Sequence, residues 1–298
     1  MATELKQPDE LLEQLIAARR EDVVRLQKAQ AANLQDVESR GKVRLSALRK
    51  SLPKDFVTVL DTLDRTHAEA EAAAKSRHSE VAAGLAETVV APENLTAAHP
   101  GLAGGQLIAP SSLGWFTPYY GVLHGSDGSV YWQGANPGNI DLSVYANGSG
   151  SGLFGTGAGS FTVYMDWWFR YQAPQNRNYA HTVWVPFHGF YVIHADDGFW
   201  DSKEAHARID LSAAGYQYNW KAGGSTNVFD MGGQNLNVND RFDGWRTMYY
   251  ADLLGADWAY LRVTASYYVY ARGGGSGAQL NFADGNANFM GVPWVYVD

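Results

Sequence analysis

Residues Ser160 to Gln172 read Ser-Phe-Thr-Val-Tyr-Met-Asp-Trp-Trp-Phe-Arg-Tyr-Gln. Phe161, Val163, Met165, Trp167, Phe169 and Tyr171 hold the odd positions, and Thr162, Tyr164, Asp166, Trp168 and Arg170 the even ones. Alternation with period two puts these sets on opposite faces of a β-strand. The odd face is core, each large side chain contributing about 1.5–3 kcal/mol on burial. The even face carries rings, an acid and an arginine where small polar groups would suffice. Ala259 to Arg272 repeats the design: Leu261, Val263, Ala265, Tyr267 and Val269 alternate with Tyr260, Arg262, Thr264, Ser266, Tyr268 and Tyr270.

Around these strands the composition breaks near residue 95. All 10 Trp, all 17 Tyr, 11 of the 12 Phe and 30 of the 32 Gly follow it. The first 95 residues instead hold 14 of the 23 basic and 16 of the 31 acidic groups. Two such different stretches imply two domains.

In the first, Pro8-Asp9-Glu10 is a helix start, with proline in the first turn and acids facing the N-terminal dipole. Leu12, Ile16, Val23, Leu26, Val37, Leu45, Leu48 and Leu52 then recur at helical spacing. Ser51-Leu52-Pro53 interrupts the helix, and Lys54 starts a second one that runs to about Val90. The two can fold back as a hairpin or continue as a kinked stalk. Either way the narrow apolar stripe asks for a partner, so homo-oligomerisation through residues 8–90 is expected. A cap packed on the second domain is the plainer alternative.

After a Pro/Gly linker, about ten short strands are expected, separated by Gly, Asn, Asp and Ser clusters and with no intervening helical pattern. They include Val130–Gln133, His181–Phe187, Phe190–His194 and Tyr216–Lys221. Crossover helices are missing, which excludes a parallel α/β sheet. The expected fold class is thus α + β multidomain. Residues 1–91 form a long-helix hairpin or coiled coil, 92–112 the linker, and 113–298 an all-β antiparallel sandwich, for which a jelly roll is one fitting arrangement.

Net charge is −8, against a nucleic-acid partner held by an overall basic field. The chain has no cysteine, which removes disulfides, thiolate catalysis and thiolate zinc sites. No run of about 18 apolar residues is present, so transmembrane insertion is not expected. The start lacks an apolar signal segment, which makes the cytoplasm the default, with export by another route open.

The candidate ligand-binding set is Tyr164, Asp166, Trp168, Arg170, Tyr260, Arg262, Tyr268 and Tyr270. Rings stack on the apolar faces of sugars, and flanking acids and guanidinium groups bond the hydroxyls. The same residue types also mark protein interfaces. If the two strands are neighbours in one sheet, their rings form a continuous platform.

Asp196, Asp197 and Asp201 form a weak metal candidate, with calcium the cation their oxygens suit, and Asn235 to Gly244 is a second oxygen-rich stretch. Neither matches the EF-hand spacing, and no cofactor is expected. His181, His188 and His194 show no metal-ligand motif and suit structural hydrogen bonding. A glycan hydrolase would draw on Asp166, Asp210, Asp230 and Glu204, but nothing selects a pair. The favoured reading is a non-enzymatic oligomer whose helices assemble and whose head, lectin-like and suited to adhesion, binds a glycan or a protein surface. The alternative is a structural assembly subunit with its aromatic faces buried between chains.

Overall fold

The structure is a computed structural model; it describes residues 10–63, 76, 80, 113–125, 139–140, 142–148, 157–195, 203–283 and 288–298. The expected strand Val130–Gln133 and the residues Asp196, Asp197 and Asp201 lie outside the described residues.

The helix α1 spans Glu10–Ser51, with Glu10 and Glu13 in its first turn and Arg49 and Lys50 in its last, complementing the helix dipole at both ends. It breaks at Leu52-Pro53, and residues 54–63 are helical again. Arg49 and Asp61 pair across the break at 3.5 Å. At about 1.5 Å rise per residue, a straight continuation would put them too far apart to meet. The helix axis therefore turns at the break.

The second part is a β-sandwich. Its five-stranded sheet has the order β2-β5-β10-β7-β8, formed by β2 (Tyr120–His124), β5 (Ala158–Gln172), β10 (Trp258–Arg272), β7 (Glu204–Gln217) and β8 (Asn219–Gly233). The second, eight-stranded sheet is built on β6 (Arg177–His194). One edge of β6 pairs along its whole length with β9 (Asn237–Leu254). Its other edge pairs in turn with β13 (Trp294–Val297), β12 (Phe289–Gly291) and β11 (Gly277–Asn281). β1 (Gly114–Phe116) extends β13, β3 (Asn139–Ile140) pairs β12, and β4 (Ser143–Asn147) pairs β11.

The core lies between the sheets. Val163, Met165, Trp167, Phe169 and Tyr171 from β5 meet Val183, Val185 and Phe187 from β6 and Val263 and Tyr267 from β10. The odd positions of the opening stretch do face inward.

Three local expectations are corrected. Residues 216–221 are a hairpin rather than one strand, with Tyr218 as its turn. Residues 181–194 form one strand through Gly189, because both edges are paired and Gly189 has no room for a side chain: a Cβ there would stand 2.5 Å from the Asn281 carbonyl oxygen. The oxygen-rich stretch Asn235 to Gly244 is mostly β9, held in the β6 ladder, rather than a cation loop.

Candidate functional site

β5 and β10 are neighbours. Their register sets Tyr260 opposite Arg170, Arg262 opposite Trp168, Thr264 opposite Asp166, and Ser266 opposite Tyr164. Tyr268 and Tyr270 fall at the far end of the same face, opposite Thr162 and Ser160.

α1 lies on this face. Leu12 and Ile16 pack with Val122, Trp168 and Tyr260, edged by Leu15, Tyr119, Tyr120 and Tyr216. Further along, the Arg19 Nε–H donates to Asp166 Oδ2 at 3.2 Å, and the Arg19 guanidinium covers the Tyr164 ring at 4.9 Å. Thr162 donates to the Gln30 amide oxygen at 3.0 Å, while the Gln30 amide donates to Ser160. Gln27 donates to the Gly125 carbonyl at 3.1 Å. Gly125 has φ +86°, and an added Cβ would stand 2.7 Å from the Gln27 amide nitrogen, so glycine lets the helix approach there.

Trp168, one of the candidate ligand-binding residues, is thus 0% exposed. Strand parity places its side chain on the outer face, but the chain's own helix covers that face. Asp166 is enclosed as well. Burial pushes its carboxyl up, but the His124 hydrogen bond, the charges of Arg19 and Arg262, and the Thr264 hydroxyl outweigh this and hold it below its ordinary value. With Thr264 donating at 2.6 Å and His124 Nε2 standing 3.3 Å away, Asp166 is an ionised anchor for the helix.

The other acids considered for hydrolysis are also paired. Asp210 accepts from Arg208 at 2.6 and 3.0 Å, and Asp230 lies 3.5 Å from the same guanidinium. Glu204 meets Arg272 at 3.0 Å and His206 at 2.9 Å. His181 is buried and hydrogen-bonds the Tyr171 hydroxyl. Among the described residues no three His, Asp or Glu side chains converge to hold a metal ion, and no helix is long and apolar enough to cross a membrane.

Beyond the helix N-terminus, the same face becomes accessible. One row crosses four strands: Arg170 on β5, Tyr260 on β10, Tyr216 on β7 and Trp220 on β8. Trp258 stands one row further out, and Tyr218 tops the β7–β8 hairpin. Tyr218, Trp258 and Trp220 are 73%, 45% and 42% exposed. The Arg170 guanidinium lies 4.0 Å from the Trp258 ring centre and 5.9 Å from those of Tyr119 and Tyr260. Arg262 lies 4.5 Å over Trp220, and Tyr216 meets Trp220 edge-on at 5.3 Å. These contacts fix the planes of rings and guanidinium groups together.

Asp257 completes this rim. It accepts from the Trp258 N–H at 2.7 Å and from the Tyr218 hydroxyl. The Tyr218 bond, then the Trp258 one, hold its carboxyl below the usual range. The Gln217 amide donates to the carbonyls of Gly255, Asp257 and Trp258 at 3.1–3.3 Å, tying the hairpin tip to the β9–β10 turn. Tyr218 has φ +62°, a costly conformation for an aromatic residue.

The structure therefore divides the candidate set. Arg170, Tyr260 and Arg262 belong to the rim; Tyr164, Asp166 and Trp168 lie under α1; Tyr268 and Tyr270 stand apart. Tyr216, Tyr218, Trp220, Asp257 and Trp258 were missed. The alternation Tyr216-Gln-Tyr218-Asn-Trp220 was the available signal.

No protein-family model matches the chain, and no curated protein does. Solved structures do. One is a carbohydrate-binding module, TmCBM61, in complex with β-1,4-galactotriose, at 10% identity and TM-score 0.19, covering 62% of this chain and 87% of the module. A family 35 carbohydrate-binding module from Clostridium thermocellum is similar at 10% identity and TM-score 0.17, covering 61% and 95%. An isomalto-dextranase from Arthrobacter globiformis complexed with panose is similar at 14% identity and TM-score 0.18, covering 54% of this chain and 23% of the enzyme. At such scores the likeness carries no weight for function.

Proposed function

We propose that the chain is a non-enzymatic, self-assembling binding protein whose head takes a glycan at the Trp258–Trp220 rim. One observation carries the reading. Three exposed rings stand around two ring-stacked guanidinium groups and a carboxylate, all fixed by their own contacts. Exposed rings suit the apolar faces of pyranoses, and the charged groups between them suit the hydroxyls. Because little has to be ordered on binding, little entropy is lost. Such sites are weak singly, so presentation in several copies supplies avidity.

The helices suit that assembly. Val24, Leu26, Val43, Phe56 and Val59 are exposed on them although α1 already covers the sheet. Val43→Glu with Phe56→Glu should lower the mass of the full chain in sedimentation; an unchanged mass removes the helices as the assembly element.

The glycan reading is tested on an array with the full-length chain. Binding should be lost in Trp258→Ala and Trp220→Ala while the melting temperature holds. An array with no hits, or hits that survive both substitutions, would leave the structural-subunit reading.

A further inference from the structure

The rim leaves the sandwich in two pieces, and a buried acid stands where they part. Tyr216 to Trp220 rises from Gly215 on β7, where the register with β8 slips between Ala214 and Tyr216. Asp257 and Trp258 follow the end of β9, which carries Asp252. Asp252 faces Gly215 across the sandwich: a Cβ on Gly215 would collide with the Asp252 carboxylate, and would stand 3.9 Å from the Lys221 Cβ. Gln217 clips the two pieces together, accepting from the Gly255 N–H at 2.6 Å besides donating to the turn.

Asp252 is 3% exposed, and neither of its carboxylate oxygens has a hydrogen-bond partner. The titratable and charged groups of the elements packed here are Tyr171 on β5, Tyr179 and His181 on β6, Lys221 on β8 and Tyr250 on β9. Arg177 lies over the Tyr179 ring at 4.2 Å. Tyr171 bonds His181, and Tyr179 bonds the Gln175 backbone. None of these groups donates to Asp252. A carboxyl enclosed without a donor is stable only when neutral. Once ionised it must take up water or reach the Lys221 ammonium. Gly215 leaves no slack for either, so β7 has to shift at the base of the hairpin.

We propose that Asp252 is a proton switch for the rim and, given that the rim is the glycan site, for glycan capture. With the carboxyl neutral, the two pieces are held together; ionised, it loosens them. The chain then holds a glycan more tightly in mildly acidic surroundings than at neutral pH. Burial raises this carboxyl to about 6, with Lys221 opposing. In the loosened rim it titrates near its ordinary value of about 3.9. The closed rim therefore binds the proton more tightly, and loses ground to the open one as pH rises toward about 6. Between about pH 5 and about pH 7.5 the closing equilibrium falls about ten-fold.

Amide hydrogen exchange on the full-length chain reads this without any ligand. Corrected for the intrinsic effect of pH, protection of the bonded amides of Gly255, Asp257 and Trp258 should fall about ten-fold over that range. Core amides such as Val163 and Val263 should not fall with them, because global unfolding also frees His181, whose contribution runs the other way. Asp252→Asn should keep the rim protected at both pH values, and Lys221→Met should carry the fall to higher pH. Array signals should likewise drop with rising pH in wild type and hold in Asp252→Asn. Flat rim protection in wild type overturns the switch, as does an equal fall in Asp252→Asn or a fall of the core amides in step with the rim. An array with no hits at either pH removes the glycan reading alone, since exchange decides the switch by itself.

Discussion

The guanidinium of Arg19 meets the carboxylate of Asp166, Nε to Oδ2 at 3.2 Å, across 147 residues of sequence. The pair is nearly enclosed, with side-chain exposures of 13% and 0%. It fastens a helix to a sheet through the one acid that the sheet's outer face has buried.

Arg19→Met should therefore destabilise the full chain by about 3 kcal/mol, the low end for breaking a buried pair, because His124 and Thr264 still hold Asp166. Adding Asp166→Leu should recover part of the loss, since no charge is then left buried. Chemical denaturation reads both. A change below about 0.5 kcal/mol, the level of an ordinary surface substitution, would mean that the helix does not rest on the sheet in solution.

Trp167 and Trp168 are both buried, one between the sheets and one beneath α1. Each changed to Ala in the full chain should cost about 3–5 kcal/mol. A fragment of residues 113–298, if the head folds alone as the domain reading expects, separates them. There Trp167→Ala should keep its cost, and Trp168→Ala should cost much less. Equal losses in the fragment would mean that something besides α1 covers Trp168.

Tyr218 separates backbone strain from side-chain contact. At φ +62° glycine is unstrained and alanine is not. Tyr218→Gly should melt above Tyr218→Ala, and both should lose glycan binding to the same degree. The reverse order of melting would show that the turn is not held in this conformation in solution.

Asp252 and His181 make opposed contributions to the pH dependence. Burial raises the Asp252 carboxyl to about 6, with Lys221 acting weakly against it. Burial lowers the His181 imidazole to about 4. Unfolded, the two titrate near 3.9 and 6.5. The Asp252 contribution is full below about 3.9 and is lost as pH rises through about 6. That of His181 is full above about 6.5 and is lost as pH falls through about 4. Between about pH 4 and 6 the folded chain holds one proton on Asp252, the unfolded chain holds one on His181, and the two slopes cancel. Asp252→Asn removes one side of the balance. Relative to wild type, the variant should lose stability on acidification over this window, by up to about 1.4 kcal/mol per pH unit. Parallel stability curves for the two proteins would sink this.

Much of the fold was legible because side-chain parity is a local property. The alternations Phe161 to Tyr171 and Leu261 to Val269 sort inner from outer residues without any knowledge of the partner strand, and the composition break marks the helical part. Residues 222–254 were not legible as strands. Their glycines, asparagines and aspartates carry turn propensity, which pairing with β7 and β6 overrides in β8 and β9.

By itself, then, the sequence determined which residues share a face: Tyr164, Asp166, Trp168 and Arg170 on one side of β5, and the core on the other. Only the tertiary structure decided what lies on that face. Leu12, Ile16 and Arg19 close it over Trp168 and Asp166, and leave Arg170 with Trp258 and Arg262 with Trp220 toward solvent. The period of a strand orients a side chain, but its exposure depends on segments more than a hundred residues away. Those contacts follow from packing and charge pairing in three dimensions, which no local pattern records.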